Sequence, residues 1–519
     1  MIQTTASKKI LWVDDEIDSL KPHILFLEKK GFEVDGVMSG DDAIVAVQKN
    51  MYDLVLLDEM MPGKDGLTTL EEIKDIRPHL PVVMVTKSEE ESLMDEAIGQ
   101  KIDDYLVKPV IPSQILLVIK RILDSKKIIS SSSMKRYIAE INRFNQKLYG
   151  DLSPEDWYEA ARILASWDLE LDESNDVGLF QTHEGTKKEW NIEFTKYIEK
   201  EYTRWLFSDD RPVLSPDVSG RFVVPRLKEN KKVLFIVVDC MRLDQWMMVE
   251  PLLAEFYNIE RHYYFSILPS ATPFARNALF AGQFPEDIHE IYPDNYKVQD
   301  EGSLNRYEDK FLEDNLARRG VRLQKQLKYV KIYNNTEGEE LTRRTADYYE
   351  SQIATFVFNF LDILAHGRSN NVILKEVAGT EAAFRSLMKS WFNHSPLFSL
   401  LKAFAGRDFT VIITSDHGSV LCKRGTVAHG RKSTSTNLRY KYGDNLNSDL
   451  KESILIKKPE QWRLPSFTLA TTYIIAKEDF YFVYPNNYNE MVRQFMNSFQ
   501  HGGISLEEMV VPLAILNPK

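Results

Sequence analysis

Five short apolar runs, KKILWVDD, FEVDGVMS, YDLVLLDE, LPVVMVTK and KIDDYLVK, divide the opening of the chain, with amphipathic stretches of helical length between them. Each run is too short for a helix and rich in Val, Ile and Leu, so strands alternate with helices. That alternation predicts a doubly wound, five-stranded parallel α/β domain over residues 1–125. Asp14 and Asp15 close the first run, Asp58 closes the third, Thr86 follows the fourth and Lys108-Pro109 follows the fifth. All five positions fall at carboxyl ends of strands, where an open α/β sheet places its site. Three carboxylates gathered there repel one another unless they hold a hard divalent cation, and magnesium suits such an oxygen-rich, partly hydrated cage. Asp58 can then attack a phosphoryl donor, with Lys108 offsetting charge on the transferred group and the Thr86 hydroxyl bonding to the product. Any one of these acids alone fits an ordinary helix cap; the five together, in this order, point to phosphoryl chemistry.

The pattern changes after Leu123. Ser130 to Ser133 form a four-serine stretch expected to link or cap, and the next part, 126–211, reads as a small helical bundle. Ser153-Pro154-Glu155 is a fair helix start within it, with proline at the first helical position. Between Met134 and Phe207, ten basic side chains face fifteen acidic ones, which argues against a DNA-reading module. From Pro212 and Pro225 onward, buried-strand runs return at KKVLFIVVD, TVIITSD, FTLATTYIIA and MVVPLAIL, so 212–519 is expected to be a second, larger α/β domain. The whole is an α/β multidomain chain, and 519 residues are too many for one core.

Hydrophobic residues at 43% and charged residues at 27% exclude a disordered or collagen-like chain. The net charge of −12 gives a field that repels nucleic acid and acidic membranes. Cys240 and Cys422 cannot make a disulfide framework and fit a reducing compartment. No window is apolar for the roughly 20 residues that a membrane span needs, and the start MIQTTASKKILWVDDE shows no apolar stretch before a cleavage site, so no leader is expected. A soluble, cytoplasmic protein without a membrane span is expected.

The larger domain carries a second constellation: Asp239 at the end of KKVLFIVVD, Thr272 in LPSATPFARN, Asp362 and His366 in NFLDILAHGR, Asp416-His417 in TVIITSDHG, and His501 in HGGISLEE. Three Asp, three His and one hydroxyl make a two-metal inventory. Asp362 and His366 are one helical turn apart, so they share a face and can chelate one ion. Gly418 lets the chain turn after His417. Mixed nitrogen and oxygen ligands favour zinc over manganese or iron. Two such ions about 4 Å apart activate a hydroxyl nucleophile and stabilise a leaving oxygen. Each residue alone fits a structural role; Arg242, Arg276 and Asn277 fit packing as well as a place near the metals. His23, His79, His183, His262, His289, His394 and His429 receive no catalytic role, although His429, Arg431 and Lys432 could touch a substrate phosphate. Tyr263, Tyr264, Phe265 and Phe274 flank the Thr272 loop, as core or as a stacking surface.

The motifs VDDE, LLDEMMPGKDGL, VMVT and YLVKP resemble the receiver domain of two-component response regulators. That resemblance implies Asp58 as phosphoacceptor, Asp14 and Asp15 binding magnesium with the Met60 carbonyl, and Thr86 with Tyr105 as a switch pair. Lys87 departs from it, standing where that family has a small residue. It also implies a sensor histidine kinase as partner and a phosphorylation-dependent homodimer formed through the face from about Lys87 to Lys127. The second constellation resembles the alkaline phosphatase superfamily, and HGGISLEEMVVPL resembles its PglZ branch. The implied ligand sets are Asp239, Asp416 and His417 for one zinc and Asp362, His366 and His501 for the other, with Thr272 as nucleophile through a phosphothreonine. The implied activity is that of a zinc-dependent phosphodiesterase or phosphatase acting on nucleotide or oligonucleotide phosphodiesters. A receiver, a helical module and a PglZ domain in this order resemble the PorX-type response regulators, which implies a role in type IX secretion. The alternative is a metal-bearing docking surface for a sigma factor, another transcription factor or a secretion component.

Overall fold

The computed structural model describes residues 8–86, 102–110, 112–148, 150–173, 177–294, 305–370, 379–430 and 437–519. The chain divides into two compact units, Met1–Ala139 and Glu140–Lys519. In the first, β1 (Lys8–Val13), β2 (Phe32–Val37), β3 (Leu54–Asp58), β4 (Val82–Thr86) and β5 (Asp104–Val107) form a parallel sheet in the order β2-β1-β3-β4-β5. Side chains alternate across it. Leu11, Val13, Val55 and Leu57 enter one core, while Ile10, Trp12, Leu54 and Leu56 enter the other, so both faces are covered as the run-and-helix pattern predicts. Ser39 caps α2 (Gly40–Lys49) by accepting from Asp42 N, and Asp65 caps α3 (Gly66–Ile76) by accepting from Thr68 N; α1 is Lys21–Lys29.

One long helix, α4 (Pro112–Lys147), runs through Ser130–Ser133, where the sequence predicts a break. A serine costs only a few tenths of a kcal/mol relative to alanine in a helix, too little to stop one between good helix formers. The last turns of α4 belong to the second unit, where Trp190 Nε1 donates to Asn145 Oδ1 and Trp167 Nε1 to Glu140 Oε2. They pack with α5 (Pro154–Asp172) and α6 (Val177–Trp205). Ser153 caps α5 as the sequence predicts, in a reciprocal pair with Asp156.

The second unit is built on a six-stranded sheet of β6 (Lys232–Val238), β7 (Tyr257–Phe265), β8 (Lys328–Ile332), β9 (Ile353–Phe358), β10 (Phe409–Thr414) and β11 (Val510–Pro518), in the order β7-β11-β10-β6-β9-β8. β10, β6, β9 and β8 are parallel, and β11 runs antiparallel to both neighbours. Leu234, Ile236, Val238, Phe356, Phe358, Val411 and Ile413 supply its core. The helices that matter below are α7 (Leu243–Leu253), α8 (Thr272–Ala281), α9 (Phe360–Asn370) and α10 (Glu381–His394). The FTLATTYIIA run forms Thr471–Ala476 in a separate three-stranded antiparallel sheet, between Tyr440–Asp444 and Ser453–Ile456. Among the described residues, no helix is long and apolar enough to cross a membrane.

Candidate metal centres

At the carboxyl end of the first sheet, ligand oxygens of Asp14, Asp15 and Asp58 lie within 4.8 Å of one another. Lys108 Nζ stands 2.9 Å from both Asp14 Oδ2 and Asp58 Oδ1. One ammonium cannot balance three carboxylates, so the cluster suits a hard cation of magnesium type. Burial raises the Asp58 pKa, Lys108 opposes it, and Asp14 and Asp15 add to it. Thr86 ends β4, its carbonyl accepting from Lys108 N at 2.7 Å, and Tyr105 on β5 is 42% exposed. Met60, two residues past Asp58, has an exposed side chain. Lys87 and most of the expected dimer face near it lie outside the described residues.

In the large sheet, three adjacent strands deliver candidate ligands at their carboxyl ends: Asp239 follows β6, Asp362 follows β9, and Asp416 and His417 follow β10. The structure gathers two triads. In one, Asp362 Oδ1 is 3.3 Å from His366 Nε2 and from His501 Nε2, and the two imidazole nitrogens are 2.8 Å apart. In the other, His417 Nε2 is 3.6 Å from Asp416 Oδ2 and 3.8 Å from Asp239 Oδ1. The triads adjoin, since the His417 and His501 rings stack with centroids 4.2 Å apart. Thr272, at the first position of α8, puts Oγ1 3.0 Å from His417 Nε2 and 3.4 Å from Asp239 Oδ1, beside the second triad.

The residues present fit metal ions. Asp416 Oδ2 is buried and accepts no hydrogen bond. His417 Nδ1 faces Gly418 O at 3.0 Å, so Nδ1–H donates there and Nε2 is left bare toward the site. Burial, then Asp416, pushes the Asp239 carboxyl up to about 7 against Arg276. Burial pushes Asp416 up to about 6 against the same arginine. Burial, then His417, pushes His501 down to about 4. Against burial, His366 and His501 hold the Asp362 carboxyl well below its usual range and Asp362 raises His366, so the carboxyl protons to be exchanged for a divalent ion are those of Asp239 and Asp416.

Arg276 proves central: Nη1 is 2.5 Å from Asp239 Oδ2 and 3.1 Å from Asn359 Oδ1, while Nε meets Glu308 Oε1 at 2.7 Å. Arg242 instead pairs with Asp244 and Glu381, and Asn277 donates to Pro273 O. Tyr264 and Phe265 are buried, Phe265 stacked on Trp205, Tyr263 packs against Tyr158, and buried Phe274 meets Tyr440 edge-on. His429 is exposed and pairs through its backbone with Asn447; Arg431 and Lys432 lie outside the described residues. Over the triads opens a cavity of about 540 Å³, to which Asn305, Tyr333, Asn437, Tyr440, Phe495 and Gln500 contribute. Sequence reasoning missed these six. They come from segments scattered over the domain, and no motif joins them.

Residues 219–516 match the family described as the BREX system PglZ alkaline phosphatase-like domain. Residues 10–120 match the response regulator receiver domain and 127–206 the PorX response regulator linker domain. The transcriptional regulatory protein ResD of Bacillus subtilis is 36% identical over 23% of this chain and 49% of its own length. The alkaline phosphatase synthesis transcriptional regulatory protein PhoP of the same organism is 33% identical over 30% of this chain and 63% of its own. The match thus spans less than two thirds of either relative. A CheY-like receiver domain protein from Methanospirillum hungatei aligns with 29% identity over 23% of this chain and 96% of its own, at a TM-score of 0.23.

Proposed function

We propose, on the premise that this chain belongs to the PglZ alkaline phosphatase-like family and pairs that domain with a response regulator receiver and a PorX linker, that it is a phosphorylation-controlled phosphodiesterase with two zinc ions. The observation that carries the reading is the adjoining of the two Asp/His triads, with one hydroxyl, Thr272 Oγ1, beside the Asp239 triad. Asp239, Asp416 and His417 would hold one zinc, and Asp362, His366 and His501 the other. Bound there, the ions supply Lewis acidity to the phosphoryl oxygens and lower the cost of ionising a hydroxyl.

The chain's own residues do the rest. Thr272 Oγ1 loses its proton and attacks phosphorus, the bond to the leaving alcohol oxygen breaks, and the alcohol departs with a proton. Water then displaces Oγ1 from phosphorus, returning the threonine and releasing the phosphorylated product. Arg276 fixes Asp239 through Oδ2 and leaves Oδ1 directed at Thr272 and His417. Its Nε and Nη1 are taken by Glu308, Asp239 and Asn359, which leaves only Nη2 to meet a phosphoryl oxygen. A diester carries one charge fewer than a monoester. Tyr333, Tyr440 and Phe495 give the cavity flat apolar walls suited to a base, so nucleotide or oligonucleotide diesters are the proposed substrates.

On the receiver side, Asp58 takes the phosphoryl group from a sensor histidine kinase, Asp14, Asp15 and the Met60 carbonyl hold magnesium, and Thr86 with Tyr105 senses the product. Phosphorylation favours a homodimer, and the output serves type IX secretion from the cytoplasm. Hydrolysis of matched aryl diesters and monoesters by the zinc-loaded chain tests the substrate class. A kcat/KM favouring the monoester would overturn it.

A further inference from the structure

The helical segment that precedes the large sheet reaches the ligand-bearing loops through three polar side chains of one helix, two directly and one through Glu381. Lys187, Asn191 and Tyr202 of α6 are separated by about one and about three helical turns, so they share a face spanning about 22 Å of its length. Lys187 Nζ meets Glu381 Oε2 at 2.8 Å, and Glu381 Oε1 meets Arg242 Nη1 at 2.6 Å, three residues past Asp239. Asn191 Oδ1 accepts from Leu506 N at 2.8 Å, and its Nδ2 donates to Glu507 Oε2 at 3.1 Å, in the turn that follows His501. That turn also seats His417: Gly418 N donates to Glu508 O at 2.9 Å, and a Cβ on Gly418 would stand 1.9 Å from Glu507 O. Tyr202 Oη accepts from Leu268 N at 2.7 Å, in the loop that leads to Thr272. Ser270 Oγ of this loop donates to Gly503 O at 2.7 Å, joining it to the His501 segment.

We propose that α6 is the positioning element of the two-metal site, with Lys187, Asn191 and Tyr202 as positioning residues for the loops that carry Asp239, His417, His501 and Thr272. The inference rests on the metal reading given above. Packing alone would need only apolar contacts, which Trp190, Phe194, Ile198 and Trp205 already supply. The three polar groups are buried as well; Asn191 and Tyr202 are each spent on a segment within a few residues of a ligand or the nucleophile, and Lys187, which also meets Asp168 at 3.3 Å, reaches the Asp239 segment through Glu381 and Arg242. Burying polar groups is worthwhile only where partners are fixed, so the partners they fix are the ligand loops. Groups that orient ligands from behind set metal affinity as well as rate.

The test uses the full chain, stripped of metal and titrated with zinc against a chromophoric chelator. Variants are Asn191→Ala, Tyr202→Phe, Lys187→Met and Lys187→Arg; urea unfolding of the metal-free chains runs in parallel. Asn191→Ala and Tyr202→Phe are each expected to weaken zinc binding by about tenfold or more and to lower kcat with little change in KM. Lys187→Met should do the same, and Lys187→Arg should restore both by keeping the cation. Zinc affinity and kcat within about twofold of wild type in Asn191→Ala and Tyr202→Phe would reduce α6 to a packing element and overturn the inference. A wild-type chain that binds no zinc would overturn the metal reading itself, an outcome visible before any variant is compared.

Discussion

Asp239→Asn is expected to make the zinc-free protein more stable while removing one of its zinc sites. The native carboxyl is buried, and burial with the adjacent Asp416 moves its pKa from 3.8 up to about 7. An acid raised in this way is harmless to folding below its unfolded pKa and costs stability as pH climbs toward the folded value. At pH 8 the cost is fully developed, about 4 kcal/mol at 1.36 kcal/mol per unit, whereas at pH 5.5 it is about 2 kcal/mol. Asparagine keeps the shape and carries no charge, so it escapes that cost. For the unit Glu140–Lys519, an unfolding entropy of about 2 cal/mol/K per residue sums to about 0.8 kcal/mol/K. The zinc-free variant should therefore melt about 5 °C above wild type at pH 8 and about half as far above it at pH 5.5. Excess zinc should invert the order, since wild type gains about 4 kcal/mol at a thousand times Kd while the variant has lost a ligand. Calorimetry in chelator and in zinc, at both pH values, reads all four cases. A zinc-free variant less stable than wild type at pH 8, or zinc raising both proteins equally, would refute the argument.

Three further outcomes follow from single contacts. Gly418→Ala places a methyl group 1.9 Å from Glu507 O, a backbone atom that no rotamer change relieves, so about 3 kcal/mol or more of stability and the His417 zinc site should be lost together, as read by unfolding and zinc stoichiometry. Arg439→Met strands the Glu508 carboxylate, whose partner is fully buried with it, and should cost about 3 to 5 kcal/mol in urea unfolding. Asp58→Asn should accept no phosphoryl group from acetyl phosphate and magnesium and should stay monomeric, whereas wild type is labelled and dimerises; intact mass and light scattering check both.

Much of this was legible in the sequence because strands announce themselves locally. The continuous apolar runs Ile10 to Val13 and Leu54 to Leu57, buried on both faces of the sheet, and the acids that end those runs, made the first sheet and its site readable. In the second constellation Asp239, Asp416 and His417 stood out as strand-end groups and Asp362 with His366 as a one-turn pair, whereas Thr272 and His501 stood out only through motifs resembling the alkaline phosphatase superfamily. The serine stretch misled, because composition marks a linker but a helix needs only modest propensity to continue through it. Arg276 was left between packing and the site, and its role depends on Glu308 and Asn359, residues with no sequence tie to it. The cavity wall and the α6 contacts were not legible at all. Lys187 and Glu381 are 194 positions apart and Asn191 and Leu506 are 315 apart, and pairings of that kind leave no periodic or spacing signal.

The central claim is tested most directly by zinc-dependent hydrolysis of a chromogenic phosphodiester, comparing wild type, Thr272→Ala and Asp58→Ala, each with and without beryllofluoride. The account predicts turnover that requires zinc, falls at least about a thousandfold in Thr272→Ala with both metals retained, and loses its response to beryllofluoride only in Asp58→Ala. Two bound zinc ions with no turnover, or Thr272→Ala hydrolysing as wild type does, would contradict it.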